Sequence, residues 1–105
     1  MNEFELIREW AEGRGLYTKG DIKTQYIKLQ EEAGELAKAI MNDDYDEFVD
    51  AIGDCVVVLT NLAKLGNKHF DTNKAISIES CIKTAYNEIK NRKGKMENGT
   101  FVKEK

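Results

Sequence analysis

The sequence predicts an all-α fold, a compact bundle of about four helices that ends in a short β-hairpin. Apolar residues recur at helical spacing through most of the 105 residues, the chain contains no proline, and Asn98-Gly99 joins two short alternating segments. No repeat or linker interrupts this pattern, so residues 1–105 are interpreted as one domain whose basic tail, 93–105, carries the hairpin. A chain of this size buries only about 60–65% of its unfolded surface, which makes oligomerisation a natural source of further core.

Glycine and aspartate residues mark the predicted limits of the first two helices. Residues 3–12 place apolar side chains at helical spacing, and Gly-Arg-Gly at 13–15 ends this first helix. Asp21 is the expected N-cap of the second helix, which the polar segment 42–46 breaks and turns back. The apolar face of the second helix comprises Ile22, Tyr26, Leu29, Ala33, Leu36, Ala37 and Ile40.

The third helix is predicted over about residues 44–65, although Cys-Val-Val-Val at 55–58 alone resembles a strand. The helical period continues across several turns, and this length favours a helix. Gly66 and Asn67 are expected to end it, and Asp71 or Thr72 to open a fourth helix that runs through Ile89.

The charges are unevenly distributed along the chain. Residues 83–105 hold seven Lys/Arg against three Glu, a balance of +4, so the rest carries −7 and the net charge is −3. This division suits a cation in the body and phosphates near the end, with a solvated tail as the alternative. The basic residues form no continuous stripe, which disfavours nucleic-acid binding.

Several classes of protein are disfavoured by the pattern. No apolar run approaches the roughly 18 residues of a membrane span, and the N-terminus shows no export-signal pattern. Cys55 and Cys81 lie among apolar neighbours, so reduced thiols and a cytoplasmic location are expected. A di-iron bundle would need Glu-x-x-His pairs, and the single histidine, His69, lies far from the acidic segments.

Two acidic lines lie on segments that otherwise have the pattern of core helices. At about 100° per residue, one quadrant of the second helix holds Glu31, Glu32 and Glu35. The third helix aligns Glu47, Asp50, Asp54 and Asn61. Carboxylates that converge repel one another, and a divalent cation relieves this repulsion. Oxygen ligands without His or Cys suit Mg²⁺ or Mn²⁺ and thus phosphate chemistry, whereas a solvated helix face is the alternative for each line alone.

Gly34 and Gly53 immediately precede Glu35 and Asp54 inside these helices. Glycine in a helix interior costs roughly 1 kcal/mol relative to alanine. A close approach of the two helices, or room for a ligand beside the acids, would account for both glycines. Ordinary tolerance of glycine is the alternative.

"EEAGE" at 31–35 and "EFVDAIGD" at 47–54 together resemble the E-E-x-x-E and E-x-x-D signatures of the MazG-like, all-α nucleoside triphosphate pyrophosphohydrolases. The resemblance extends over about residues 7–95. It implies Mg²⁺-dependent cleavage of a (d)NTP between its α and β phosphates, which yields the (d)NMP and pyrophosphate. It also implies a homodimer or a homotetramer.

The resemblance assigns four acids to the metal, and three of them match directly: Glu32, Glu35 and Asp54. The sequence departs from the family pattern at the fourth position, where the usual glutamate is replaced by Ala51. Either Asp50 or Glu47, on the same helical line, is expected to supply the missing carboxylate.

The same resemblance implies further roles around the substrate. Glu31 or Glu35 is the expected general base. Contacts with the substrate are expected from Trp10, Gln25 and Lys28 before the acids, and from a closing segment with Asn87, Lys90, Arg92 and Lys93. Trp10 would stack on the base, and a place in the core is the alternative for this side chain.

A non-catalytic helical module that senses nucleotides or binds a protein is the alternative function on the same scaffold. Ala51 keeps this alternative open, because it removes one expected ligand. The two functions differ in a measurable way, since only the enzyme releases pyrophosphate in the presence of Mg²⁺ or Mn²⁺.

Overall fold

The computed structural model describes residues 1–104, so Lys105 at the end of the basic tail lies outside it. The described chain confirms the all-α class and the terminal hairpin. None of its helices is both long and apolar enough to cross a membrane. The elements are α1 (Glu3–Gly13), α2 (Leu16–Lys19), α3 (Ile22–Met41), α4 (Tyr45–Phe70), α5 (Ile78–Ile89), β1 (Gly94–Glu97) and β2 (Thr100–Lys103).

Helices α3 and α4 form the main body, a long helical hairpin against which α1 packs. The predicted cap at Asp21 is confirmed, because its carboxylate accepts a hydrogen bond from the Thr24 amide at 2.9 Å. At the turn, Asp43 adopts a positive φ of 51° and Asp44 caps α4, accepting from the Glu47 amide at 3.1 Å. This short turn makes the two helices antiparallel neighbours and brings their acidic lines side by side.

The predicted end of the third helix at Gly66 and Asn67 is wrong, because α4 continues to Phe70. Asn67 instead uses its side chain to hold the segment that returns after the helix. The side-chain Nδ2 of Asn67 donates to the Ile76 carbonyl oxygen at 2.7 Å, and the side-chain Oδ1 accepts from the Ile76 backbone N–H at 2.6 Å. The Ile76 side chain lies against Gly66, so the glycine makes room for this segment rather than ending the helix.

The predicted start of the last helix at Asp71 or Thr72 is also wrong. Asp71 is the C-cap of α4, with a left-handed φ of 47°, and α5 begins after Ser77. Ser77 and Ser80 exchange hydrogen bonds between side chain and backbone at 3.1 and 3.0 Å, which satisfies two free amides of the first turn.

The buried core is thin and is made mainly of small side chains. Along α4, Ala51, Val58 and Leu65 recur every seven residues and are 5% exposed or less. Ala11 of α1 and Ala39 of α3 complete this set of buried apolar residues. Because so little apolar volume lies inside, the packing of one chain leaves much of its hydrophobic surface open.

The exposed surface of the single chain is large for its mass. Its accessible area is 8285 Å², whereas a compact monomer of this size exposes about 6,000 Å². The radius of gyration is 16.3 Å, against about 13 Å for a compact domain of this length. Large apolar side chains stand exposed on four helices, among them Leu6, Trp10, Tyr26, Ile27, Ile40, Phe48, Val49, Ile52, Leu59, Ile82, Tyr86 and Ile89.

Candidate active site

The candidate site begins with acids that face one another across α3 and α4. Glu32 is the most protected glutamate of its group, with a side chain 14% exposed, whereas Glu31 and Glu35 are 64% and 50% exposed. Partial burial raises the pKa of Asp54, and the negative charges of Asp50 and Glu32 raise that pKa further. Asp54 on α4 therefore lies close to Glu32 on α3.

Glu47 lies in the same acidic environment, about two helical turns before Asp54. Partial burial raises the pKa of Glu47 first, and the charges of Asp50, Asp44, Glu35 and Asp54 add to the shift of this pKa. The contribution of Glu35 comes from the opposite helix, so Glu47 faces α3. Ala51, which stands where the family has glutamate, is buried at 1% exposure.

Lysine side chains already neutralise part of this negative charge. The Lys28 ammonium lies 3.3 Å from Glu32 Oε1 and 3.6 Å from Glu31 Oε2. The Lys38 ammonium lies 3.8 Å from Glu35 Oε1. Lys28 also opposes the rise in the pKa of Asp54. Lys28 therefore sits among the carboxylates, and a metal ion would have to share them with it.

The carboxylates suit a hard cation by chemistry but are not gathered into a coordination sphere. Within residues 1–104, no three acidic, histidine or cysteine side chains converge closely enough to hold a metal ion. All the donors are carboxylate oxygens, which are the ligands that Mg²⁺ and Mn²⁺ prefer. Glu32 and Glu35 stand on α3, and Glu47 and Asp54 stand on α4, so these carboxylates would have to move closer together to share one metal ion.

An open groove between α1 and α4 runs beside these acids. It comprises two adjoining clefts of about 520 and 570 Å³ that share Glu3, Ile7, Asp54 and Val57. The first cleft adds Leu6 and Trp10, and the second adds Asp50 and Gly53. The groove thus joins a wall on α1, apolar except for Glu3, to two carboxylates on α4, a lining that the sequence pattern of α1 did not reveal.

Gly34 and Gly53 do not mark a close approach of α3 and α4. A Cβ atom at either position would meet no atom of the chain within 4 Å, apart from the neighbouring helix backbone. The expected close approach is therefore wrong for a single chain. At Gly53 the missing side chain instead leaves room in the groove next to Asp54.

Trp10 lies in this groove rather than in the core. Its side chain is 51% exposed and lines the same cleft as Asp54. The Arg14 guanidinium covers one ring face at 4.3 Å from the ring centroid. Sequence reasoning missed Arg14, although its spacing of four residues from Trp10 is the signal of a cation–π pair on one helix face.

Of the other predicted site residues, Gln25 lies on the helix face of the acids, whereas the residues of the closing segment do not line the groove. Gln25 is half-buried on α3, one seven-residue repeat before Glu32, so both lie on the same helix face. Neither cleft of the groove is lined by any residue of the closing segment, in the part of the chain that the structure describes. The structure therefore does not bring the closing segment together with the acids. The predicted site residues of this segment, all exposed, are Asn87, Lys90, Arg92 and Lys93.

Asn61, the last member of the predicted polar line on α4, has a different environment. It is 2% exposed, and its side-chain oxygen accepts a hydrogen bond of 2.6 Å from the Tyr17 hydroxyl. Burial raises the pKa of Tyr17, so the phenol stays protonated and remains a donor. Asn61 therefore serves the packing of α2 against α4, apart from the exposed acids.

Comparison with known proteins places this chain in a family. The profile of the MazG nucleotide pyrophosphohydrolase domain matches residues 21–96, which is more than half of the sequence. The chain therefore belongs to the MazG nucleotide pyrophosphohydrolase family. The matched region contains both acidic lines and extends through α5 to β1.

A curated relative comes from a bacteriophage. The chain is 42% identical over 66 residues to an uncharacterized 18.2 kDa protein in the rep-hol intergenic region of Haemophilus phage HP1. This alignment covers 63% of the chain but only 39% of the relative. No solved structure matches the chain significantly.

Proposed function

We propose that this protein is a Mg²⁺-dependent nucleoside triphosphate pyrophosphohydrolase that cleaves (d)NTPs between the α and β phosphates. The products are the (d)NMP and pyrophosphate. The observation that carries the proposal is the acidic face shared by α3 and α4, with Asp54 lining both clefts of the adjoining groove. Clefts of this volume fall within the range of about 300–1,000 Å³ typical of small-molecule sites.

Four carboxylates are proposed to hold the metal: Glu32, Glu35, Asp54 and Glu47. Glu47 is preferred to Asp50 as the substitute for the family glutamate, because Glu35 acts on it from the opposite helix. Asp50 lines the groove toward α1 and is the second choice. When bound, Mg²⁺ would neutralise phosphate charge and make water a better nucleophile.

The general base is proposed to be Glu31 or Glu35, the two more exposed glutamates of α3. Both reach solvent and can accept a proton from water, whereas the Glu32 side chain is only 14% exposed. Lys28 is proposed to turn from the carboxylates to the substrate phosphates when a nucleotide binds. Gln25 lies on the same side of α3 and is proposed to contact the substrate there.

The nucleobase is proposed to bind against Trp10 in the groove. One face of the indole is covered by Arg14, so the base would stack on the other face. Leu6 and Ile7 supply apolar contacts, and Asp54 lies at the phosphate side of the same cleft. This placement orients the triphosphate toward the acidic face.

A second copy of the chain is proposed to cover much of the exposed apolar surface, in a homodimer or a homotetramer. The excess area of about 2,300 Å² over a compact monomer is ample for a stable interface, which buries about 800 Å² per partner. The closing residues Asn87, Lys90, Arg92 and Lys93 would then reach the triphosphate from the neighbouring chain. Two free cysteine side chains favour the proposed cytoplasmic location.

The test is release of pyrophosphate and monophosphate from the common dNTPs and NTPs, with Mg²⁺ or with EDTA. Metal-dependent formation of both products is expected, and Glu35→Gln should reduce the rate by about 100-fold or more. Glu88→Gln, an exposed acid on α5, is the matched control and should retain activity. Saturable nucleotide binding without turnover would instead support the non-catalytic nucleotide-sensing module.

A further inference from the structure

We propose that the C-terminal hairpin is an exchange arm that docks on the α3–α4 turn of a second copy of this chain. The exchange arm is defined as residues 90–103, which include β1 and β2. Its docking surface is defined as the turn cleft, a depression of about 290 Å³ lined by Ala39, Ile40, Asp43, Asp44, Tyr45 and Phe48. The proposal rests on the homo-oligomer proposed above and specifies a contact within it.

The two faces of the exchange arm differ in their large apolar side chains. Met96 and Phe101 are directly opposed in the antiparallel ladder, so their side chains share a face. Gly94 and Lys103 are opposed on this same face, and the Val102 carbonyl and the Phe101 ring occupy the space that a side chain at Gly94 would fill. On the other face, Lys95 and Glu97 form an ion pair of 3.3 Å opposite Val102 and Thr100. This division predicts that the Met96 and Phe101 face rests on another surface.

The exchange arm finds no such surface within its own chain. All eight strand residues are exposed, with Met96 at 66% and Phe101 at 46%. Among residues 1–104, the strands make at most marginal contact with any helix. An isolated two-stranded hairpin is only marginally stable in water, so a stable arm requires a partner.

The turn cleft offers the matching surface. Its floor is apolar, and the neighbouring Met41 and Tyr45 are 82% and 76% exposed. Its rim is acidic, since residues 42–47 include four acids and no basic residue. The exchange arm carries five Lys/Arg against one Glu over residues 90–103. Apolar contact at the centre with opposite charges at the edge is the arrangement of a specific protein interface.

A second copy is the proposed occupant because, among residues 1–104, the arm makes at most marginal contact with its own helices, and its charge complements that of the turn cleft. The turn cleft is at the start of α4, and the segment leading to α5 leaves from its end, 26 residues away. This separation is about 39 Å along the helix. When two α3–α4 hairpins pair head to tail about a twofold axis, the end of one α4 lies beside the turn of the other. Each arm can then dock on its partner, which gives a closed and reciprocal interface.

The docked arm would also bring basic residues to the partner's acidic site. Asp43, Asp44 and Asp46 of the turn directly precede Glu47, which faces α3. Lys103, which lies on the Met96 and Phe101 face of the arm, would therefore approach the end of the acidic face that is nearest the turn. The contact thus explains how cations that lie apart from the acids in one chain are supplied by the other.

Disulfide trapping between different chains tests the exchange. In a Cys55→Ala, Cys81→Ser background, one tagged chain carries Met96→Cys and an untagged chain carries Met41→Cys. The two are refolded together and oxidised mildly. A disulfide between tagged and untagged chains is expected, at least about fivefold above a control in which Lys23→Cys, at the far end of α3, replaces Met41→Cys. A yield no higher than this control would overturn the proposal.

The double variant Met41→Cys, Met96→Cys separates exchange from docking within one chain. Exchange predicts covalently linked dimers, whereas an internal disulfide in a monomer would overturn it. Sedimentation velocity of the unmodified chain tests the proposed oligomer separately from the proposed exchange of arms. A monomer at all concentrations would refute both the oligomer and the exchange, while a dimer that gives no disulfide would refute the exchange alone. Neither result bears on pyrophosphate release, which is measured independently.

Discussion

At the scale of single residues, the Tyr17–Asn61 hydrogen bond shows how a polar side chain is retained in a thin core. Asn61 is 2% exposed, and the Tyr17 hydroxyl donates to its oxygen at 2.6 Å. The helical period placed Asn61 on the polar line of α4, but the period cannot show which side of that line another element will cover. The short helix α2 covers Asn61, and no local signal in the sequence predicts its pairing with Tyr17.

Tyr17→Phe removes the donor and leaves the Asn61 oxygen buried without a partner. We expect the free energy of unfolding to fall by about 1–3 kcal/mol, because a desolvated acceptor loses its only replacement for water. Urea unfolding measures this change. Tyr86→Phe is the matched control, since Tyr86 is 60% exposed, and its effect should stay within about 0.5 kcal/mol. Equal losses in both variants would contradict this role for the hydrogen bond.

At the scale of elements, local signals predicted the cap of α3 and the hairpin turn, but they did not predict where α4 ends and α5 begins. Asp21 caps α3 as expected, and Asn98 and Gly99 both adopt the positive φ of the expected hairpin turn. Gly66 and Asn67 resemble a helix stop, but in the fold they receive Ile76 and its backbone from the returning loop. A contact across nine residues is invisible to a periodicity argument, so α4 extends beyond its predicted end.

An ion pair between elements gives a pH-dependent contribution to stability. Arg8 of α1 makes two hydrogen bonds of 2.7 Å to the Glu79 carboxylate at the start of α5. These bonds to Arg8 lower the pKa of Glu79 below its ordinary value of 4.5. A carboxyl whose pKa is lowered on folding stabilises the fold above its unfolded-state pKa, and this stabilisation is lost as the pH falls through the lowered value.

Glu79→Gln should therefore lower the melting temperature at about pH 7 and have a progressively smaller effect toward about pH 3. Thermal unfolding followed by circular dichroism at a series of pH values measures the difference from wild type. Glu88→Gln, which changes another exposed acid on α5, should show a smaller and flatter difference. A Glu79→Gln effect that stays constant with pH would mean that the Arg8 pair does not stabilise the fold through charge.

At the scale of the whole molecule, the sequence supports the architecture and the identity of the acids more fully than the complete site. Helical spacing is sufficient to place Glu32 and Asp54 on facing sides of α3 and α4, because a short turn makes the helices antiparallel. The groove beside them depends on how α1 crosses α4, which spacing alone does not specify. The cations of the closing segment line neither cleft of the groove, and helical spacing does not specify where the segment after α5 packs.

On the acidic face, replacing Asp54 is expected to have opposite effects on stability without and with the proposed metal. Partial burial disfavours the ionised form of Asp54 in the metal-free fold, and repulsion by the charges of Asp50 and Glu32 adds to this effect. Replacing Asp54 by a neutral amide relieves this repulsion. We therefore expect Asp54→Asn to be more stable than wild type in EDTA.

In Mg²⁺ the order of stability should reverse, with wild type more stable than Asp54→Asn. A ligand that binds only the native state adds stability that grows with its concentration, about 2.7 kcal/mol at 100 times its dissociation constant. Wild type should gain this stabilisation and Asp54→Asn should lose most of it, so their melting temperatures cross as Mg²⁺ is added. Glu88→Gln is the control and should follow wild type. Parallel shifts for wild type and Asp54→Asn would place the metal elsewhere, and no shift in either would argue against a Mg²⁺ site in the free protein. The crossing is a sharper test than inactivation alone, because a general loss of folding would lower stability in EDTA as well.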